Sequence, residues 1–417
     1  MSASTHSMEY RFIEPLDVLF LRGNKLFGDP GSYGECLIPP WPSVAAGAIR
    51  SRMLVDDDVD LAAFGRSEER HPTLGTPEQP GSFTLAGFYL ARKKADGNTE
   101  ILLPPPADLV ISKETTTRHS RAGGNPEPLT VQCLSPQSIN LPSSFPLDQL
   151  PVLAQGAKRS KPESGYWLTQ AGWQTYLNGE TPEATKLVNS SQLWTFDARV
   201  GIGMNEATRS VEEGKLFSTQ AVVMHKQGNR IKDDKQTNDL QEADSVADYD
   251  VGFVVAVSGA TPPADGLLRL GGDGRAASIQ PVNIALPEPD YKTIASTKRC
   301  RIVLTSPGLF PDGWKLPITD SDNRVTLPGG ITAKLVSAAV PRAEVVSGWD
   351  LAKWEPKAAQ RVASTGSVYW LDELEASSGS IEDALRKLAV TGLWGEPCED
   401  AGRRAEGFNR CAMGVWL

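Results

Sequence analysis

The alternation of apolar and polar residues predicts a chain built mainly of short strands. Residues 10–21 alternate as a first strand would. A Pro-Pro-Trp-Pro-Ser stop follows at 39–43, and residues 44–54 (VAAGAIRSRML) have the apolar spacing of a helix with proline near its first turn. Residues 83–92 and 100–110 flank an Asp-Gly-Asn turn and predict a β-hairpin. Strand, helix and hairpin in this order begin a ferredoxin-like βαββαβ unit.

A second hairpin is predicted over residues 197–224, where two strand-like runs enclose a polar crest. Asn205 and Arg209 lie in that crest, so we expect the hairpin to project from the fold. Gly201 and Gly203 lie in the first of the two strand-like runs. They would let its backbone approach a partner closely, or they would simply permit a β-bulge.

The second half of the chain continues the strand pattern. Residues 251–258 are apolar without interruption, which predicts a strand buried on both faces. Residues 299–309 and 333–346 add further strands, and 380–390 (SIEDALRKLAV) is a helix with a serine cap, early acids and late cations. The predicted fold class is therefore α+β.

The length of the chain predicts the number of domains, and its net charge limits how it could bind nucleic acid. A chain of 417 residues exceeds one ordinary core, and we expect two domains, at 8–215 and 216–417. The 38 glycines and 31 prolines indicate many loops and turns. A net charge of -9 argues against sequence-independent attraction to nucleic acid, so any RNA would be held by a local site.

Cysteine usage and hydropathy give no sign of a metal, a cofactor or a membrane. The most apolar run, 251–257, is far too short to cross a bilayer, and we expect a cytoplasmic protein. A Gly-x-Gly-x-x-Ala run at 272–277 lacks the helix of a dinucleotide site, and no Walker A sequence occurs. The cysteines are single and odd in number, which predicts reduced thiols and no zinc site: Cys36, Cys133, Cys300, Cys398 and Cys411.

Residues 341–371 form the most informative stretch, which reads as strand, long loop, strand. The loop carries Trp349 and Trp354 among the cations Lys353, Lys357 and Arg361. Cations interleaved with aromatic rings suit RNA, because charge meets phosphate and rings stack on exposed bases. The alternative is a surface loop with solvated lysines and two tryptophans tucked beneath it.

Other loops offer weaker basic or glycine-rich sites. The run 113–128 is either an RNA contact or a solvated insertion, and Arg50 either meets a phosphate or pairs with nearby acids. The C-terminal loop, 402–415, could offer guanidiniums and backbone N–H groups to phosphates, although four acids lie close by. Its candidates are Arg403, Arg404 and Phe408.

Taken together, several stretches resemble one family. They are PPWPSVAAGAIRS, RVGIGMNEATRSVEEGKLFS, LRLGGDGR, GWDLAKWEPKAAQR with STGSVYW, and the final GF…GVW. In combination they resemble the RAMP-superfamily subunit that caps the type III-B (Cmr) CRISPR effector complex, the third Cmr subunit. The resemblance covers most of the chain. The insertion at 113–128 and the acidic C-terminal loop depart from it.

The resemblance implies two ferredoxin-like (RRM-like) domains face to face, with long insertions and glycine-rich loops. It implies a non-catalytic subunit that binds the 5′ tag of the CRISPR RNA, docks on the large palm-domain Cmr subunit and contacts neighbouring RAMP subunits. Carried over position by position, it assigns these residues to the RNA site: Arg22, Asn24, Lys25, Arg50, Arg199, Gly201, Gly203, Asn205, Arg209, Gly271, Gly272, Arg275, Lys357 and Arg361.

The rival hypothesis is a RAMP-type endoribonuclease that processes CRISPR precursor RNA. Such enzymes use general acid–base chemistry, often with a histidine, so the histidines of this chain are the candidate catalytic residues. Of His6, His71, His119 and His225, only His225 follows a predicted strand, and a lone histidine there is more often structural. No pair of carboxylates suggests a two-metal site. A β-rich carbohydrate-binding or structural module would also suit the tryptophans, and it predicts no RNA affinity.

Overall fold

The fold is seen in a computed structural model that describes residues 8–23, 33–34, 36–113, 129–138, 143–153, 161–205, 207–231 and 245–417. Two candidate RNA residues, Asn24 and Lys25, and the predicted insertion after Lys113 lie outside these ranges. Within them the chain is a mixed α and β structure with mostly antiparallel sheets and few helices. The predicted α+β class is confirmed at that level.

The strands are mostly short, and the longest, Val211–Met224, is one arm of a long hairpin. In chain order they are β1 (Glu9–Pro15), β2 (Tyr33–Gly34), β3 (Thr84–Lys94), β4 (Thr99–Leu103), β5 (Leu109–Lys113), β6 (Leu129–Cys133), β7 (Ser135–Gln137), β8 (Leu150–Val152), β9 (Tyr166–Thr169), β10 (Leu187–Asn189), β11 (Trp194–Met204), β12 (Val211–Met224), β13 (Arg230–Ile231), β14 (Ser245–Val246), β15 (Tyr249–Ser258), β16 (Gly266–Arg269), β17 (Ala276–Pro281), β18 (Cys300–Leu304), β19 (Arg324–Leu327), β20 (Ile331–Ala339), β21 (Glu344–Val346), β22 (Trp349–Asp350), β23 (Glu355–Pro356), β24 (Gln360–Val362), β25 (Val368–Ala376) and β26 (Cys411–Val415).

The helices begin where the sequence supplies caps. Ser380 accepts a hydrogen bond from the Asp383 N–H at 3.0 Å, so the predicted serine-capped helix is confirmed. Pro42 opens the first predicted helix, where its missing N–H costs nothing. No helix in the described ranges is long and apolar enough to cross a membrane. The helices are α1 (Pro42–Asp56), α2 (Leu61–Gly65), α3 (Gln170–Leu177), α4 (Tyr291–Thr297), α5 (Ile381–Thr391) and α6 (Ala401–Ala405).

The larger sheet has eight strands in the order β10-β9-β4-β3-β15-β1-β17-β16. Every neighbouring pair in it is antiparallel. Residues 251–257 of the central strand β15 are all buried, as predicted for a strand covered on both faces. One face packs against α1, where Ile49 and Met53 share a core with Phe253 and Val255.

The second sheet has five strands in the order β19-β20-β25-β18-β26, again with antiparallel neighbours. Its outer face is covered by α4 and α5. Leu385 and Leu388 of α5 share a core with Ile302 of β18 and Leu371 of β25, and Ile294 of α4 joins them. The apolar residues of α5 that face the sheet are thus three to four positions apart, as one face of a helix requires.

The remaining faces of the two sheets pack on each other. Phe12 and Val254 of the larger sheet share a core with Val303, Val368 and Trp370 of the second. The molecule therefore has four layers: α1, the larger sheet, the second sheet, and the pair α4 and α5. Most of the aromatic residues between 166 and 194 are buried and pack within the fold: Trp167, Trp173, Tyr176 and Trp194.

The two sheets divide the chain later than the predicted boundary. The larger sheet takes strands between Glu9 and Pro281, and the second takes strands between Cys300 and Val415. The boundary at 215/216 falls within β12, and β15 from beyond it pairs with β1 and β3. Apolar patterns mark strands, but they do not show which sheet each strand joins.

A buried polar network joins the two halves between the sheets. Asp108, fully buried after β4, accepts hydrogen bonds from the Tyr176 hydroxyl (2.9 and 3.0 Å) and from Arg301 Nη1 of β18 (3.0 Å). Arg301 Nη2 donates to the Tyr176 carbonyl at 2.7 Å, and Cys133 Sγ lies 3.5 Å from Asp108 Oδ2. Burial raises the pKa of Asp108, and the charge of Arg301 offsets part of that rise.

Candidate nucleic-acid interface

Residues 16–22 follow β1 and run between the long hairpin, β11 with β12, and the glycine-rich turn that joins β16 to β17. Leu19 exchanges both backbone hydrogen bonds with Val222 of β12, at 2.8 and 2.9 Å. The Phe20 carbonyl accepts from the Gly272 N–H, in the turn between β16 and β17, at 2.8 Å. The predicted strand 10–21 therefore stops early, at Pro15, and its last residues bring the long hairpin and the glycine-rich turn together.

Phe20 is the centre of this meeting point. It is 6% exposed and packs against Val18 and Ala221. The guanidinium of Arg199 lies 5.7 Å from its ring centre and that of Arg275 lies 5.1 Å from it. Cations at these distances are attracted to the ring face. We call the set Phe20, Arg22, Arg199, Gly271, Gly272 and Arg275 the Phe20 cluster; all but Phe20 were predicted from the sequence.

Each arginine of the Phe20 cluster also has a carboxylate partner. An exposed ion pair contributes only about 0–1 kcal/mol, so a phosphate can replace each carboxylate at little cost. Among the described residues, these three aspartates cancel the charge of the three arginines, so the cluster with its partners has no net charge and exerts no strong attracting field. The pairs are Arg22 with Asp273 (3.4 Å), Arg199 with Asp197 (2.8 Å) and Arg275 with Asp17 (2.9 Å).

Gly271 has to be glycine in this turn. Its φ is +77°, and a Cβ added to it would lie 2.7 Å from the Phe20 carbonyl oxygen. Only glycine adopts that conformation freely and leaves that space. The close approach that the glycines permit is thus between the turn and residues 16–22, and it fixes Arg275 over Phe20.

The glycines of the long hairpin serve its own packing. A Cβ on Gly201 would lie 2.5 Å from the Phe217 ring, and one on Gly203 would lie 2.7 Å from Lys215 Cβ. The register of β11 and β12 shifts between Ile202 and Met204, so the hairpin contains the irregularity that a β-bulge produces. Both glycines are explained without a partner.

The tip of the hairpin is a compact, exposed turn. Asn205 Oδ1 accepts from the N–H groups of Ala207 and Thr208, each at 3.0 Å, so its side chain shapes the loop. Arg209 has φ +53° and is exposed. Glu212, one possible partner, pairs with Lys215 instead, and no carboxylate among the described side chains pairs with Arg209.

Four other candidate residues meet elsewhere, around the buried carboxylate of Glu406. Glu406 accepts from Arg403 Nη1 at 3.0 Å and from Lys357. Arg403 lies over the ring of Phe408, which is fully buried. Burial lowers the pKa of Arg50, and Glu406 is the first of the charges that oppose this. We call Arg50, Lys357, Arg403, Glu406 and Phe408 the Glu406 cluster.

Two candidates remain on the surface away from either cluster. Arg404 pairs with Glu396 at 3.0 Å. Arg361 is exposed on β24 and lines a groove of about 560 Å³ together with Phe145 and Trp314. The structure therefore brings together Arg22, Arg199, Gly271, Gly272 and Arg275. It places a second set of candidates elsewhere: Arg50, Lys357, Arg361, Arg403, Arg404 and Phe408.

The histidines within the described ranges are bonded inside the fold. His71 is 3% exposed; its Nδ1 accepts from the Leu74 N–H at 3.0 Å, and its Nε2 lies 2.7 Å from Asp57 Oδ2. His225 is 4% exposed, with Nε2 3.0 Å from the Ser191 carbonyl oxygen. His6 and His119 lie outside those ranges, within which no metal-binding group of three ligands occurs.

Sequence reasoning missed Phe20 and the three aspartates that pair with the arginines of the Phe20 cluster. The signal for Phe20 was the apolar run 18–21 directly before Arg22, after β1 has ended. Asp17 and Asp273 could not be paired from sequence, because each lies far along the chain from its arginine. Asp197 is two residues from Arg199, so that pair could have been found.

Comparisons with known proteins give a family. A family model described as "CRISPR-associated protein (Cas_Cmr3)" matches residues 11–416. A chain in a structure titled "Cryo-EM structure of the Type III-B Cmr-beta bound to cognate target RNA" matches with TM-score 0.42 and 14% identity, over 87% of this chain and 86% of that one. A chain from the same complex bound to target RNA and AMPPnP, state 1, matches with TM-score 0.40 and 13% identity, over the same shares. A search of curated proteins gave no match.

Proposed function

Because the chain belongs to the Cas_Cmr3 family of CRISPR-associated proteins, we propose that it is a non-catalytic subunit of a type III-B CRISPR effector complex. In this role it binds the 5′ tag of the CRISPR RNA, docks on the large palm-domain subunit and contacts neighbouring RAMP subunits. The observation that carries the RNA part is the Phe20 cluster, where three arginines converge at one edge of the larger sheet.

The Phe20 cluster suits a short stretch of RNA backbone. Arginine guanidiniums bind phosphate in a fixed geometry, and phosphate contacts fix the register of a nucleic acid without reading its sequence. Phe20 holds Arg199 and Arg275 in place, so little side-chain freedom is lost when a phosphate binds. Arg209, at the exposed tip of the hairpin, is the further contact that we propose.

The buried members of the Glu406 cluster are left out of the proposed RNA surface. Phe408 has no exposed surface, and Arg403 is tied to Glu406, to Gln360 Oε1 (2.9 Å) and to the Ser347 carbonyl (3.2 Å). An arginine with these bonds would have to break a buried ion pair to reach a phosphate, which is costly.

We further propose that each sheet is the core of one ferredoxin-like domain. In a βαββαβ unit the spatial order of strands is fourth, first, third, second. Strands β17, β1, β15 and β3 follow that order in the larger sheet, and β26, β18, β25 and β20 follow it in the second. α1 supplies the first helix of one unit and α5 the second helix of the other, so the proposed domains span residues 9–281 and 300–415.

The absence of catalysis is part of the proposal. An acid–base ribonuclease needs a histidine, or an equivalent group, within reach of the ribose 2′-hydroxyl. His71 and His225 are buried and bonded within the fold, which argues against the endoribonuclease hypothesis for either residue.

Cross-linking tests the proposal directly. Complexes are reconstituted with guide RNA that carries 4-thiouridine in its 5′ tag, irradiated and mapped by mass spectrometry. We expect cross-linked peptides from 16–22, from 270–275 and from the long hairpin, and no cleavage of precursor RNA. Because the Phe20 cluster has no net charge, we expect little cross-linking to the isolated chain. Equal cross-linking of tagged and untagged RNA would contradict the proposal.

A further inference from the structure

The loop between β21 and β24 ends in a small ribbon, β22 and β23, that exposes three large apolar side chains. Trp349 is 50% exposed, Leu351 is 65% exposed and Trp354 is 73% exposed. The two tryptophan rings meet edge to face, with centres 6.0 Å apart. We call these three residues the aromatic hook. The tryptophans are not tucked beneath the loop, and a grouped exposed apolar surface of this kind marks an interaction site.

The conformation of the aromatic hook is defined by its own hydrogen bonds. Asp350 Oδ1 accepts from the N–H groups of Ala352 (2.9 Å) and Lys353 (3.2 Å). Trp354 has φ +55°, a left-handed conformation that bulky residues rarely adopt. The capped turn and this backbone conformation order the chain at Trp354 before binding, and such order lowers the entropic cost of association.

The residues that flank β22 and β23 are bonded to the Glu406 cluster or belong to it. Arg403 donates to the carbonyl of Ser347 at 3.2 Å, directly before the ribbon. On the other side of the ribbon, the Lys357 N–H donates to the Gly348 carbonyl at 2.9 Å, and its ammonium pairs with Glu406. Cations that the sequence pattern assigned to RNA therefore support the hook from below.

The charge at the hook does not favour an RNA partner. Between residues 349 and 355 the chain carries Asp350, Lys353 and Glu355, which is one cation and two anions, a net charge of -1. Arg50, whose charge acts on Asp350, brings the local balance to zero. The hook therefore offers a phosphate backbone no excess of cations, whereas a protein surface with a neutral or basic rim accepts it. Exposed tryptophans are also the side chains most enriched at the centres of protein interfaces.

We propose that the aromatic hook inserts into an apolar pocket, with a neutral or basic rim, on a neighbouring protein subunit of the complex. This inference rests on the proposed function only for the identity of the complex. It assigns the hook to protein docking, and it leaves RNA to the Phe20 cluster. The partner supplies an apolar pocket because three large apolar groups have to leave water together.

The test uses the full-length chain with Trp349→Ser and Trp354→Gly combined, and the other protein subunits of the complex without RNA. Glycine at 354 keeps the left-handed backbone and removes only the ring. We expect association to weaken at least about thirtyfold, the threshold for a hot spot. The unfolding midpoint should stay unchanged, because both rings are exposed. The matched control is Val390→Ser on α5, which is 57% exposed and should leave the affinity unchanged.

Three outcomes would overturn the inference. Unchanged association of the double variant would show that the hook does not dock on protein. Intact association with weakened guide RNA binding would make it a base-stacking platform. A wild-type dimer that the double variant abolishes would make a second copy of this chain the occupant. Guide RNA binding is measured separately, on complexes to which tagged RNA is added after the RNA-free association assay. A complex that assembles but fails to hold the tag would contradict the proposed function and leave the hook supported.

A measurement on the wild-type chain avoids substitutions altogether. Hydroxyl radicals oxidise exposed tryptophan rings, and mass spectrometry reports the extent at Trp349 and Trp354. We expect protection of both rings when the protein subunits assemble without RNA. Protection that appears only after guide RNA is added would contradict the inference.

Discussion

Removal of the Asp108 carboxylate should destabilise the protein strongly. Asp108 has no exposed surface, and it accepts from Arg301 at 3.0 Å and from the Tyr176 hydroxyl at 2.9 Å. Asp108→Ala would leave the guanidinium of Arg301, itself 4% exposed, without its counter-ion in the space between the two sheets. The substitution thus removes one partner of a buried ion pair and leaves the other partner in place.

The expected loss is about 3–5 kcal/mol of unfolding free energy, the range for a buried pair that loses one partner. The lost acceptor of the Tyr176 hydroxyl falls within that range, since an unsatisfied buried donor costs about 1–3 kcal/mol. Asp108→Ala combined with Arg301→Met should lose less than Asp108→Ala alone, because no unpaired charge stays buried. The exposed pair of Arg324 and Glu373, at 3.2 Å, gives the matched control, and Glu373→Ala should cost about 0–1 kcal/mol.

Urea unfolding of the variants, followed by circular dichroism, measures these differences. A shift of the midpoint at constant slope would report a change in stability alone. A loss below about 1 kcal/mol for Asp108→Ala, equal to that for Glu373→Ala, would refute the inference that Asp108 and Arg301 form a stabilising ion pair that is shielded from water.

Two further predictions concern the hairpin and the thiols. Arg209→Ala should keep the fold but reduce the salt slope of guide RNA binding by about one in assembled complexes, as loss of one phosphate contact does; an unchanged slope would leave the tip without a role in binding. Burial raises the pKa of Cys411 to about 12, so the thiol stays neutral in the fold, and stability should fall as pH rises above the unfolded value of about 8.5 towards 12. Cys411→Ala should flatten that alkaline loss in a pH series of urea titrations, and an unchanged profile would contradict the assignment.

The local pattern predicted individual elements well. The helix expected at 44–54 is α1, the serine-capped helix is α5, and the hairpin expected at 197–224 is β11 with β12. Each rests on signals within a few residues of one another: a cap, a turn, or an alternation. The strand expected at 100–110 ends at Leu103, because three consecutive prolines follow it and cannot continue a ladder.

The assembly of those elements was harder to predict. The apolar run of β15 indicated burial on both faces, and the structure confirms this. It did not indicate that β15 pairs between β1 and β3, since partners far apart in sequence are chosen by the whole sheet. The domain division predicted at 215/216 drew on residue patterns alone, and such patterns carry no information on strand partners.

The candidate site was predicted in part. The basic residues and glycines of the Phe20 cluster were visible as types of residue in loops. Their convergence on Phe20 depends on the pairing of Leu19 with Val222 and on the turn at Gly271, and neither contact leaves a local signal. Lys357 and Arg403 were predicted from the same kind of pattern, but a sequence does not show that both pair with the buried carboxylate of Glu406.

The most direct test of the RNA-binding proposal is the salt dependence of tagged guide RNA binding by assembled complexes that carry Arg22→Ala with Arg275→Ala. If both arginines contact phosphates, affinity should fall and the slope of log affinity against log salt should decrease by about two. Arg324→Ala, which removes an exposed arginine of β19, is the control and should change neither quantity. A double variant with the affinity and slope of the wild type would contradict the proposal that the Phe20 cluster holds the RNA.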